Sequence, residues 1–197
     1  MKIAIIGYGS LIWDLDDLAP KISGDWQLGS GPAMPVEFKR VSPKRKQALV
    51  LVVDGGLEDF SVTSFIDSNR SRLDDAKDDL AARERTHLGH IGWATRSGEA
   101  RSCNDRVAAS VVAWLEESEH DAAVWTDLNG NFHDHTGMAF SHLRALAYLQ
   151  DLSRASLHEA WRYITYAPTQ TDTPFRRFLV QQPWWAALAD EFNPGTA

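Results

Sequence analysis

The chain predicts an α+β domain with a helical extension at its C-terminal end. Three observations carry this. Apolar, β-branched runs of strand length follow one another through about residue 128. Only two helical periods, over residues 71–87 and 104–118, interrupt them. After Gly137 the pattern is helical, with breaks near Ser153, Pro168 and Pro183. Strands in succession without intervening helices argue against a doubly wound parallel sheet. The length of 197 residues, with 44% hydrophobic and 24% charged, fits one globular domain. Its core is expected over about 1–128 and the extension over about 138–192.

In order along the chain, residues 2–8 read as a buried strand. Residues 14–32, rich in Asp, Gly and Pro, read as a long excursion. Alternation over residues 35–41 and the apolar run 48–53 give two strands. Between them Lys44-Arg45-Lys46 reads as a solvated hairpin turn. Residues 60–66 alternate again. Strands are also expected over 89–95 and 121–128, with a polar turn at Asn129-Gly130-Asn131-Phe132-His133. No repeat, low-complexity tract or linker stands out.

A formal net charge of −7 and the absence of a broad basic face exclude an ordinary nucleic-acid binder. No run approaches the roughly 20 apolar residues of a membrane span, and no secretory leader pattern opens the chain. Cys103 is the only cysteine, so no disulfide forms within the chain. A cytoplasmic protein is expected. His87 with His90, and His133-Asp134-His135, lack zinc-site context, so no metal is expected. Trp184-Trp185 either packs on the domain or forms an oligomer contact.

The first strand empties into Gly7-Tyr8-Gly9-Ser10-Leu11-Ile12-Trp13. A dinucleotide fingerprint needs a third small residue where Ile12 stands, and acids occupy the helix start that would face a pyrophosphate. Glycines at positive φ in a tight turn would account for the loop. So would close approach of its backbone to a ligand, with Trp13 placed to wall the same pocket.

In the helix over 71–87, Ser71 and Asp74 form a capping box on paper. Leu73, Ala76, Leu80, Glu84 and His87 fall on one stripe, while Asp75, Asp78, Asp79, Ala82 and Arg85 take the other face. Glu84 is thus a carboxylate turned inward. Removal from water and the negative end of the helix dipole both make such a group a better proton acceptor. A structural ion pair with Arg40, Arg83 or His87 would also account for it.

Together, Gly-Tyr-Gly-Ser-Leu-Ile-Trp and the later Leu-x-x-Arg-Glu resemble the γ-glutamylcyclotransferase-like family, which includes the ChaC and AIG2-like proteins. Tyr8-Gly9-Ser10-Leu11 is similar to the family's loop, Pro35-Val36-Glu37-Phe38 to its early strand, and Glu84 to its catalytic glutamate. The chain departs at Arg85, where many relatives carry glycine, and in its longer helical tail.

The resemblance implies a small mixed, β-barrel-like sheet with flanking helices. It also implies cyclisation of a γ-glutamyl compound to 5-oxoproline, with release of an amine or amino acid and without a cofactor. Glu84 would be the acid/base, and Tyr8, Gly9, Ser10, Leu11 and Trp13 would hold the substrate. The alternatives are a non-catalytic binder of small carboxylates on the same fold, and a hydrolase using Ser10 or Cys103.

Overall fold

The computed structural model describes residues 1–192. It is an α+β fold built on a mixed six-stranded sheet. The strands are β1 (Ile3–Gly7), β2 (Ile22–Gln27), β3 (Ala33–Met34), β4 (Val36–Ser42), β5 (Ala48–Val53), β6 (Ser61–Val62), β7 (Ser64–Ser68), β8 (Ile91–Thr95), β9 (Ala100–Arg101) and β10 (Ala122–Thr126). The α-helices are α1 (Leu73–Glu84), α2 (Asp105–Glu117), α3 (Phe132–Thr136), α4 (His142–Gln150), α5 (Arg154–Tyr166), α6 (Pro174–Val180) and α7 (Pro183–Phe192). No helix among the described residues is long and apolar enough to cross a membrane.

The sheet runs β2-β7-β1-β10-β8-β9. Only β1 and β10 pair in parallel; the other neighbours are antiparallel. Side chains alternate across the central strands, as strand geometry requires. Ile3, Ile5, Ala122 and Val124 face one side, where Ala76, Leu80 and Ala81 of α1 cover them. Ala4, Ile6, Ala123 and Trp125 face the other, toward α2, the β4–β5 hairpin and the C-terminal helices.

The barrel-like curl does not form. The sheet is open, with β2 and β9 at its edges. The β4–β5 hairpin pairs with itself, and β3–β6 makes a separate ribbon, so neither bridges those edges. Four local expectations also change. Residues 14–32 hold the edge strand β2, and Phe132 is buried in the short helix α3 rather than exposed in a polar turn. The N-cap of α1 is Arg72, without a side-chain cap, so Ser71 makes no capping box. Asp79 is buried, ion-paired to Lys21 at 2.9 Å and Arg70 at 2.6 Å, whereas His87 is exposed.

The C-terminal helices belong to the same core as the strands. Ala160, Tyr163, Phe175, Leu179 and Trp185 join Phe38, Leu49 and Val53 in one apolar cluster. Trp185 thus packs on its own domain. Glu37 fastens the two parts. Its carboxylate, 1% exposed, accepts the Phe38 amide at 2.8 Å and the Phe175 amide, at the start of α6, at 3.0 Å. A carboxylate is favourable at a helix N-terminus. Burial nevertheless outweighs these bonds and raises the Glu37 pKa above its ordinary 4.5.

Replacing Glu37 by Gln puts an amide donor against one of two buried N–H groups. We expect a loss of about 2 kcal/mol, read by denaturant titration. The folded carboxyl binds its proton more tightly than the unfolded one. The stability that Glu37 contributes is therefore fullest below about pH 4.5 and falls as pH rises through the raised pKa, so the gap between wild type and Glu37→Gln narrows over that window.

Candidate active site

Strand β1 is buried along its whole length, and the chain leaves it through Tyr8 and Gly9 into one 3-10 turn, Ser10–Ile12. The turn is closed by the Ile12 amide on the Gly9 carbonyl at 3.1 Å and by the Asp14 amide on the Ser10 carbonyl at 2.9 Å. The loop glycines do not adopt positive φ; Gly9 has φ −139°. Space is what selects them. A Cβ on Gly7 would stand 2.6 Å from the Trp26 ring, and one on Gly9 would stand 2.5 Å from the Tyr163 hydroxyl.

The loop opens onto a cavity of about 480 Å³. Tyr8, Gly9, Ser10 and Leu11 line it together with Glu84, so the fold brings these five sequence-selected residues to one place. Leu11 also packs into the cluster beneath α1. Trp13 does not line the cavity. It stands behind Tyr163, edge-on at 5.3 Å between ring centroids, and supports that ring instead. The Tyr8 hydroxyl donates to the Thr126 carbonyl at 2.5 Å, which ties the loop to the end of β10.

Glu84 is the last residue of α1, and its side chain is 17% exposed. Oε1 lies 2.5 Å from Nη1 of Arg83, which is itself buried and also donates to the Asp14 carbonyl. Oε2 makes no hydrogen bond among the described residues. One oxygen is held by Arg83, the other is unpartnered, and the residue lines the cavity. The helix ends at once because Arg85 turns left-handed, φ 52°, and returns its amide to Ala82 at 3.0 Å. That conformation is the one glycine adopts without strain.

The β4–β5 turn is not simply solvated. Arg45 is 18% exposed, pairs with Asp14 at 2.7 Å and Glu159 at 3.3 Å, and lies over the Tyr163 ring at 5.9 Å. Lys44 donates to the Glu84 carbonyl, and Arg40 donates to the Asn129 carbonyl at 2.9 Å. Neither Lys44 nor Arg40 pairs with a carboxylate among the described residues. Five cations (Arg40, Lys44, Arg45, Arg83 and Arg85) line the cavity against three carboxylates, Asp14, Asp16 and Glu84. In a chain of net charge −7 this is a local reversal of sign.

Tyr163, from α5, is the functional side chain that sequence reasoning left unplaced. It is 5% exposed and lines the cavity over Gly9. Burial raises its pKa, and Glu84 adds to the rise. On the sequence it looks like any core aromatic of an amphipathic helix; the demand for glycine at position 9 was the one available signal.

Cys103 sits outside this cavity, beside the buried carboxylate of Asp127. Asp127 accepts from the Cys103 amide at 2.5 Å, from Ser102 at 3.0 Å and from the Trp125 indole at 3.2 Å. Burial, followed by the adjacent Asp127, pushes the thiol up to about 12, so it is held neutral and is a poor nucleophile. No group of three or more His, Cys, Asp and Glu comes together as a metal site among the described residues. Comparison of the chain with family models, curated proteins and solved structures returned no match.

Two outcomes check this geometry. Iodoacetamide should label Cys103 at pH 7.5 more slowly in the native protein than in urea, as mass spectrometry reads, because the raised pKa lowers the thiolate fraction although the residue is exposed. Arg85→Gly should stabilise the fold by about 1 kcal/mol, seen as a higher melting temperature, because it relieves the left-handed residue at the end of α1.

Proposed function

We propose that this protein is an enzyme of γ-glutamylcyclotransferase type, which cyclises a γ-glutamyl compound to 5-oxoproline and releases an amine or amino acid. One observation carries the reading: the Tyr8–Leu11 loop and Glu84, whose Oε2 has no hydrogen-bond partner among the described residues, line the same cavity, whose lining is rich in cations. A volume of about 480 Å³ lies in the range of small-ligand sites. The local positive charge suits the α-carboxylate that every γ-glutamyl compound carries.

The chemistry then follows from the residues. Folding the γ-glutamyl chain back on itself brings amine and carbonyl into one near-attack arrangement, which removes much of the entropic barrier. Glu84 takes a proton from the α-ammonium. The freed amine attacks the γ-carbonyl carbon, forming the ring bond and an oxyanion. When the oxyanion collapses, the old C–N bond breaks, Glu84 returns its proton to the departing nitrogen, and the ring nitrogen gives up its surplus proton to the same amine, which leaves as an ammonium. Arg83 holds Oε1, so Oε2 is presented in a fixed direction. Tyr8 fixes the loop through Thr126. Nucleophile and electrophile share one molecule, so the step needs no cofactor.

The second reading, a non-catalytic binder of small carboxylates, is favoured by one specific feature: Arg40 and Lys44 reach the cavity without acidic partners. It predicts thermal stabilisation by γ-glutamyl compounds without any 5-oxoproline.

Mass spectrometry of incubations with a panel of γ-glutamyl donors tests the proposal. The expected outcome is 5-oxoproline from at least one donor, and a rate lower by roughly 10²–10⁴-fold in Glu84→Gln, with native circular dichroism and a lowered but cooperative melting transition. The variant keeps Oε1 as an acceptor for Arg83, so its fold should survive. Glu84→Gln turning over at the wild-type rate would refute the assignment.

A further inference from the structure

We infer that Tyr163, supplied by the C-terminal helix α5, donates the hydrogen bond that stabilises the substrate's carbonyl oxygen in this cavity. The inference rests on the aminolysis proposed above and adds to it a catalytic group from outside the loop-and-glutamate pair.

The phenol oxygen accepts from the Ser10 amide at 3.4 Å, and the Leu51 amide also faces it. A β-bulge explains why that amide is available. Glu37 pairs with Val52 and Arg40 with Val50, which leaves Leu51 opposite two residues of β4 and outside the regular ladder. With amides on its acceptor side, Tyr163 donates its own proton to no group among the described residues. Tyr8 differs, because its proton is already held by the Thr126 carbonyl. Of the two phenols lining the cavity, one has a donor to offer.

The ring is also held still. Trp13 meets it edge-on at 5.3 Å, Phe38 edge-on at 6.3 Å, and the Arg45 guanidinium stacks over it at 5.9 Å. Gly9 removes the Cβ that would push the hydroxyl away. A fixed donor that needs no reorganisation as charge develops is what oxyanion stabilisation requires. Burial beside Glu84 favours the neutral phenol, so the group acts as a donor and not as a second base. In the reaction the γ-carbonyl oxygen gains charge as the ring bond forms and loses it as the old C–N bond breaks. Tyr163 keeps its proton throughout and shares it most strongly in between.

The test is a double-mutant cycle of Tyr163→Phe and Gly9→Ala, with Glu84→Gln alongside. Tyr163→Phe removes only the oxygen and should lower kcat about 10²-fold, with a smaller rise in KM, no more than about tenfold, and little change in melting temperature. Gly9→Ala displaces the same hydroxyl and should give a similar loss, and the double variant should be no slower than the worse single one. Binding of 5-oxoproline, whose ring carbonyl carries the same oxygen, should weaken about tenfold in Tyr163→Phe by calorimetry. If Glu84→Gln is dead while Tyr163→Phe keeps the wild-type kcat and 5-oxoproline affinity, the donor role is overturned and the aminolysis stands. If the two losses multiply in the double variant, the hydroxyl is not their shared cause and the role is again overturned. A wild-type protein that neither forms nor binds 5-oxoproline overturns both readings together.

Discussion

The arrangement of this molecule depends on one close approach, the Tyr163 hydroxyl resting over the backbone of Gly9. The two residues come from opposite ends of the chain; the neighbouring contact to the Ser10 amide spans 153 positions. Helix α5 packs on β5, so the phenol can reach the loop only if the hairpin, the helix and the exit of β1 are all in register. Any side chain at position 9 would meet that oxygen. Trp13, Phe38 and Arg45 then have a ring to pack against, and the cavity has a wall opposite α1. Glu37 secures the same assembly from below by holding α6 to β4.

Charge is the second organising theme. The protein is acidic overall, yet its cavity gathers cations from the β4–β5 hairpin and from the end of α1. All three acids there are already engaged: Asp14 with Arg45, Asp16 with Arg85, and Glu84 through one oxygen with Arg83. Arg40 and Lys44 reach only backbone carbonyls. Arg40 is half-buried and Lys44 exposed, and cations without a carboxylate partner beside a cavity favour an anionic ligand. The same field makes the open oxygen of Glu84 a local exception, set apart by its pairing and not by a generally acidic surrounding.

Much of the scaffold was legible because burial writes itself into strands. Residues 3–7 and 48–53 are apolar at every position but the terminal Gly7, and both are buried on each face. Glu84 was legible by its phase on α1, in line with Leu73 and Leu80. The misses have physical causes. Strand β2, with Gly24 and Asp25 in its middle, is a largely exposed edge and carries no apolar alternation. Asp79 looked solvated because its partners, Lys21 and Arg70, lie outside its own helix. Arg45 sat in a run of basic residues that reads as surface, although Asp14 and Glu159 draw it inward. Tyr163 and Trp13 were each aromatic residues with no periodic signature of their roles, which only tertiary packing assigns.

The parallel pairing of β1 with β10 has a consequence for the order in which the chain acquires its shape. The Lys2 amide bonds to Asp121, 119 positions later, so the central strand emerges from synthesis long before that neighbour exists. Its other neighbour, β7, arrives earlier and antiparallel. A nascent chain therefore carries this buried strand half-paired until residues 122–126 are made, a high-contact-order route of the kind that folds slowly and leans on chaperones. The hollow beside that ribbon gains the Tyr163 side of its lining only once α5 has been made.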